Sequence, residues 1–212
     1  MIKIHGASVS PFVRKVRVVL AEKGMAHDLV PVNPLVPSEE FKRITPLGKI
    51  PVLQDGDVTV LDSAAIVAYL ERSQPTPSIY PDELDEFGRA LFYEQVGGAR
   101  VYATLGPVFV QRIVIAKAMN GTADEAVIQA SLSGAPAVFD YLEEEIGDRE
   151  WLAGGRFSIA DISVASPFVN WGYAGEKVDP DKWPKLTAYL ARVHARPSFK
   201  ALIDEEMAAL GS

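Results

Sequence analysis

SVSPFVRKVRVVLAEKG, residues 8–24, puts a serine before a proline at the point where an extended segment gives way to a helical one. Upstream, Ile2–His5 (IKIH) has the make-up of a short apolar strand, and Gly6–Ser10 reads as a loop. From Pro11 to about Lys23, the residues Phe12, Val13, Val16, Val19 and Leu20 recur at helical spacing, so Arg14, Lys15, Arg17, Glu22 and Lys23 are expected on the other side. Ser10 suits the N-cap because its hydroxyl accepts a first-turn N–H, and Pro11 suits the first helical position because no N–H is wanted there. Gly24 supplies a left-handed C-terminal closure.

Working outward, HDLVPV reads as a second strand and SEEFKRI as a short helix with acidic residues in its first turn. PVLQ and VTVL flank DGD as a hairpin with its turn at Asp55-Gly56, and a helix runs from Ser63 to about Arg72. Strand, helix, strand, helix, strand, strand, helix predicts a small α/β domain with a mixed sheet. Three prolines in SQPTPSIYPDE then mark a linker.

Beyond the linker strand signals fade. The stretch ELDEFGRALFYEQVGGARVYATLGPVFVQRIVIAKAM is helical, with Gly106-Pro107 expected to bend or break it. Further helices are predicted around Asp124–Ile146, Ser158–Trp171, Pro184–Ala195 and Ser198–Leu210. In FSIADI, Ser158 and Asp161 fit a capping box, with Phe157 and Ile162 as its hydrophobic staple. The three glutamates Glu143–Glu145 read as a solvated helix face.

Composition limits the function classes. The 212 residues carry a formal net charge of -7, which argues against a general grip on nucleic acid or an anionic membrane. There is no cysteine, so a disulfide, a cysteine nucleophile and a cysteine-ligated metal are all excluded, and any thiol chemistry must use a thiol from outside. His5, His27 and His194 have no metal-ligand spacing, and no metal is expected. The N-terminus lacks a signal-peptide pattern and the most apolar stretch is interrupted by Pro107 and Arg112, which predicts a cytoplasmic protein and no membrane partner.

SVSPFVRKVR, TPLGKIPVL and VLDSAAIVAYLE, in that order and spacing, resemble the thioredoxin-like N-terminal domain of cytosolic glutathione S-transferases of the serine type (phi, theta and zeta-like). FSIADISVAS and WPKLTAYLARVHARPSFKAL resemble that family's helical C-terminal domain. The resemblance implies a thioredoxin-like domain with a mixed four-stranded sheet at residues 1–76, a linker at 77–84 and an all-helical domain at 85–212. It also implies glutathione as co-substrate, a cis proline at Pro51 and a homodimer built on the Ser63–Arg72 helix and the ELDEFGRALFYEQ helix.

A helix N-terminus favours an anion such as a thiolate. The resemblance puts Ser10, with Ser8 as competitor, against the glutathione sulfur; the omega-like thiol transferases have cysteine there, in CPF. Serine cannot form a mixed disulfide, which favours thiolate addition or substitution over glutaredoxin-like reduction. Ile50, ahead of Pro51, would pair its backbone with the cysteinyl unit, and Lys49 would meet the glycyl carboxylate. Asp62 and Ser63 would hold the γ-glutamyl ammonium and carboxylate, with Ser63 expected as the cap of its helix. Several classes carry a Lys or His about a dozen residues before GKIP for the glycyl carboxylate, whereas NPLVPSEEF offers Val36 and Pro37 there and leaves Lys42 or Lys49 to substitute.

A small apolar electrophile is the implied second substrate, its acceptor pocket expected from Phe12, Val13, Leu35, Tyr102, Phe109 and Trp171, in a detoxifying reaction. Isomerisation, dehalogenation and peroxide reduction remain open alternatives. So does a non-enzymatic interaction protein, since SPFVRKVRVVLAEKG also resembles the stringent starvation proteins, which share the fold and bind RNA polymerase.

Overall fold

The computed structural model describes residues 1–211. The chain forms two compact units: Met1–Ile79 with the chain from Pro197 onward, and Tyr80–Arg196. The last helix thus groups with the N-terminal unit, whereas the sequence boundaries assign it to the helical domain.

In the first unit the order is β1 (Ile2–Gly6), α1 (Pro11–Glu22), β2 (His27–Pro31), α2 (Glu39–Ile44), β3 (Val52–Asp55), β4 (Val58–Leu61) and α3 (Ser63–Ser73), joined by α9 (Pro197–Gly211). The sheet order is β2-β1-β3-β4, with β1 parallel to β2 and the other neighbours antiparallel. This is the mixed four-stranded sheet expected. The β3–β4 loop is Gly56-Asp57, one residue later than the sequence suggests, because Asp55 pairs with Val58.

Gly6 is required by packing: a Cβ there would lie 2.4 Å from Val13 Cγ2, so α1 approaches the end of β1 closer than any side chain allows. Ile4, Val13, Val16, Val19 and Leu20 are fully buried with Leu53, Ile66 and Leu70 from β3 and α3.

The polar side of α1 does not face solvent. Arg14, Lys15, Arg17 and Lys23 are all buried. Helix α9 packs on α1, where Arg14 pairs with Glu206, Arg17 with Glu205, and Ser198 Oγ donates to Glu22. Lys23 Nζ donates to the carbonyls of Gln74 (2.7 Å) and Pro77 (2.9 Å) and pairs with Glu71 at 2.6 Å, tying the start of the linker to this unit. An amphipathic pattern shows which face is apolar; it does not show that the charged face will be met by opposite charges from residues nearly two hundred positions away.

The second unit is helical: α4 (Leu84–Val96), α5 (Ala103–Phe109), α6 (Glu125–Ile146), α7 (Ile159–Tyr173) and α8 (Pro184–His194). Pro107 sits inside α5 and does not end the helical run. Instead, wide π-type turns flank α5 at Gly97–Tyr102 and Val110–Ala118, where the hydrogen-bond ladder shifts by one residue. By length and mean hydropathy alone the run Leu84–Ala118 would suffice to cross a membrane; here α7 packs against α4, against the Gly97–Tyr102 turn and against α5. Gly97 permits this, since a Cβ would stand 2.3 Å from the Ser163 carbonyl oxygen.

Of the three glutamates near the end of α6, Glu144 is exposed as a solvated face requires, but Glu143 and Glu145 are engaged. Glu143 accepts from the backbone N–H groups of Lys185 (3.0 Å) and Leu186 (2.8 Å), capping α8 from outside, and Glu145 accepts from Arg89 and Tyr93. These hydrogen bonds hold the Glu145 carboxyl below the ordinary range. Burial raises the Tyr93 phenol well above its usual value, and its bond to Glu145 adds to this.

Candidate functional site

Strand register decides which loops meet. His5 pairs with Val52, and Val52 pairs with Leu61. The loop leaving β1, the Ile50-Pro51 peptide entering β3 and the Asp62-Ser63 step leaving β4 therefore emerge at one end of the sheet. Two strand spacings cover about 10 Å, close to the length of an extended tripeptide. Ser10, Ile50, Pro51, Asp62 and Ser63, expected from the sequence to act together, are brought to this one edge.

At its first corner, Ser10 is the N-cap of α1, with extended backbone (φ -72, ψ 127). Its hydroxyl accepts from Val13 N–H at 3.5 Å, a long bond, while its backbone N–H closes a turn onto the Ala7 carbonyl at 3.0 Å. Among the described residues the hydroxyl proton has no acceptor. Ser8 lies inside that turn; both serines are half-buried.

At the middle corner the Ile50-Pro51 peptide is cis. Ile50 is half-buried, Pro51 is buried and Lys49 is exposed, with no ion-pair partner among the described residues. Lys42 pairs with Glu39 at 2.7 Å. Leu35 and Val36, in the loop between β2 and α2, are 49% and 70% exposed, and no basic side chain occupies that loop.

At the third corner the structure corrects the expected cap. Asp62, not Ser63, is the N-cap of α3, at φ 73, and its Oδ1 accepts from Ala64 N–H (2.8 Å) and Ala65 N–H (3.3 Å). Ser63 is the first helical residue, 6% exposed, and its hydroxyl has no partner among the described residues. A carboxylate at a helix N-terminus interacts favourably with the positive end of the helix, and one held by only one oxygen keeps the other for a cation. The Asp-Ser dipeptide was visible in the sequence; which of the two caps was not, because both are good caps and the choice rests on the positive φ.

The residues expected at the acceptor pocket separate by burial. Phe12 and Tyr102 are half-buried and Leu35 is exposed. Val13 is spent beneath Gly6, Phe109 packs on Tyr173 at 6.4 Å between ring centroids, and Trp171 stands edge-on to Phe139 at 5.9 Å. Burial raises the Tyr102 phenol. Among the described residues no cluster of His, Asp or Glu has the arrangement of a metal site.

Residues 4–78 match the family model of the glutathione S-transferase N-terminal domain, and residues 101–197 match that of the glutathione S-transferase C-terminal domain. Glutathione S-transferase F10 of Arabidopsis thaliana is 34% identical over 152 residues, 69% of this chain and 70% of the relative. The chain belongs to the glutathione S-transferase family.

Among solved structures, a glutathione S-transferase of Rhodospirillum rubrum F11 superposes with a TM-score of 0.87 at 29% identity, over 95% of this chain and 91% of that one. One from Methylobacterium radiotolerans, solved in complex with glutathione sulfonate, gives 0.79 at 27% identity, over 95% and 94%. The chain is thus a glutathione transferase, a family whose co-substrate is glutathione.

Proposed function

We propose that this transferase binds glutathione extended along the sheet edge and holds its sulfur as a thiolate at Ser10 for attack on a small apolar electrophile. The observation that carries the reading is the unspent hydroxyl proton of Ser10, above a helix N-terminus whose first-turn N–H groups have no intrahelical acceptor. A free thiol ionises near pH 8.5, and helix N-termini lower that value. A hydroxyl donor adds to the effect, because hydrogen bonds to an ion are the strong ones. The serine then stabilises the sulfur anion without becoming covalently attached to it.

The rest of the tripeptide follows the edge. Ile50 offers its backbone to the cysteinyl unit as an added strand would. Asp62 receives the γ-glutamyl ammonium on its remaining oxygen, and Ser63 donates its hydroxyl to the carboxylate. Lys49, exposed and unpaired, takes the glycyl carboxylate. Phe12 and Leu35 line the approach of the apolar acceptor. A homodimer is part of the reading: α4 bears Leu84, Phe87 and Leu91 at helical spacing and 84%, 37% and 39% exposed, an apolar stripe suited to a second copy. We place the enzyme in the cytoplasm, in detoxification.

The test is a steady-state assay with glutathione and an aryl halide. Ser10→Ala is expected to lower kcat about tenfold or more, the order for loss of one anion-stabilising donor. Unchanged rates in both Ser10→Ala and Ser8→Ala would overturn the serine mechanism. Absence of glutathione binding in calorimetry at millimolar concentration would instead favour a binding protein on the same scaffold.

A further inference from the structure

Helix α9 reaches α1 from 192 positions away in sequence at its innermost contact, where Arg14 lies against Glu206 with both side chains fully buried. Arg14 Nε donates to Glu206 Oε1 (3.0 Å) and Oε2 (3.1 Å), and Nη2 donates to Oε2. One turn further on, the guanidinium of Arg17 takes both oxygens of Glu205 at 2.9 and 2.7 Å; at the far end of α1, Ser198 donates to Glu22. The two helices are thus fastened along their whole shared length, antiparallel, by polar contacts in fixed register.

The placement of the innermost pair gives it more than a packing role. The backbone N–H of Arg14 makes the first hydrogen bond of α1, to the Ser10 carbonyl at 2.8 Å. The residue whose side chain is clamped by Glu206 is therefore the residue whose backbone holds Ser10. The Ser10 hydroxyl is itself loosely held, 3.5 Å from its nearest donor. That long bond comes from Val13, within the first turn of α1, so the direction of the hydroxyl depends on how firmly that turn is held. A guanidinium fork against a carboxylate is rigid in a plane, which a lysine ammonium or an apolar contact is not.

We infer that Arg14 and Glu206 are positioning residues for the transferase reaction: through the first hydrogen bond of α1 they fix the Ser10 turn against the thiolate. The inference rests on the reading of Ser10 as the thiol-contacting group. A misplacement of about 1 Å at a reacting group costs on the order of a hundredfold in rate, so a modest loosening of this turn is enough to show.

The experiment compares Arg14→Met/Glu206→Leu and Arg14→Lys with the parent. Thiolate ultraviolet absorbance gives the ionisation midpoint of bound glutathione, and steady-state kinetics give kcat and KM. The double variant removes both charges together, so neither is left buried without the other, and a buried ion pair exchanged for apolar groups of similar volume is often neutral in stability. Arg14→Lys keeps the charge and loses the fork. Both are expected to raise the thiol midpoint by about half a unit to one unit and to lower kcat about three- to tenfold, with KM for glutathione within about twofold, since the Ile50 and Asp62-Ser63 contacts are untouched.

A folded variant with the midpoint and kcat of the parent would overturn the inference, as would a loss lying wholly in KM. Failure of Arg14→Lys to fold would assign the pair to folding alone and overturn it as well. Ser10→Ala in the same assay separates the two levels: if it raises the midpoint while the helix variants do not, only the positioning role fails. If it leaves the midpoint unchanged, the Ser10 reading fails.

Discussion

Two of the serines that cap helices in this chain, Ser10 and Ser158, differ in what they have left over. Ser158, at the start of α7, is fully buried in a closed capping box: its hydroxyl accepts from Ala160 N–H and donates to Asp161, whose carboxylate also takes N–H groups from Ser158 and Leu152 and the hydroxyl of Tyr189. Ser10, at the start of α1, is half-buried, accepts one long bond and gives its proton to no acceptor among the described residues. The same residue type at the same kind of position is structural where its hydrogen-bonding capacity is consumed, and available for chemistry where it is not.

The largest expected effect breaks the closed box. Asp161→Ala leaves the buried N–H groups of Leu152 and Ser158 and the Tyr189 hydroxyl without their acceptor, each costing roughly 1–3 kcal/mol. The total is about 3 kcal/mol or more, a large share of the stability of an ordinary domain. Urea unfolding is expected to show a markedly lower midpoint. A change under about 1 kcal/mol would mean the box is not closed in solution.

The same carboxylate gives a second, smaller handle through pH. Burial pushes Asp161 up to about 6, outweighing the four hydrogen bonds that act to lower it. The folded protein therefore binds this proton more tightly than the unfolded chain does. The stability contributed is fully present below the ordinary carboxylate value and is lost as pH rises through about 6. Glu145 and Glu205, held low chiefly by bonds from Tyr93 and Arg17, act in the opposite direction: their contribution is present above the ordinary value and lost in acid. Subtracting the pH profile of Asp161→Asn from that of the parent isolates Asp161. The difference is expected to fall by up to about 1.4 kcal/mol per pH unit between about pH 4 and 6. A flat difference curve would show that the hydrogen bonds cancel the effect of burial, and a rising one that they outweigh it.

The capping box at Ser158 and the cap at Ser10 were both legible in the sequence, because a cap depends on residues a few positions apart. So were the sheet and the three loops of the site, since strand periodicity and turn residues are equally local. What the sequence hid was which capping groups are spent. That Asp161 also serves Leu152 and Tyr189, that Glu143 caps α8 and that Glu206 buries Arg14 all depend on partners brought in by the fold. Of the bend or break expected at Gly106-Pro107 the break does not occur: Pro107 lies inside a continuous helical run, with wide turns on either side at Gly97–Tyr102 and Val110–Ala118. The exchange of capping roles between Asp62 and Ser63 turned on one backbone angle.

The smallest expected effect sharpens the comparison most, because it applies one substitution to both caps. Ser158→Ala removes a buried hydroxyl that accepts from one backbone N–H and donates to a carboxylate, so its cost falls at the upper end of the range for lost caps, about 2 kcal/mol. Ser10→Ala removes a bond of 3.5 Å at a site open to solvent, where water replaces it, and is expected to cost under about 0.5 kcal/mol. The order reverses in activity: Ser10→Ala loses rate with its fold intact, while Ser158→Ala keeps the rate of its folded fraction. Parallel unfolding curves and assays of the two variants check both halves. Were Ser10→Ala to cost as much stability as Ser158→Ala, the Ser10 hydroxyl would be committed to the helix after all, and its proton would not be available to a sulfur anion.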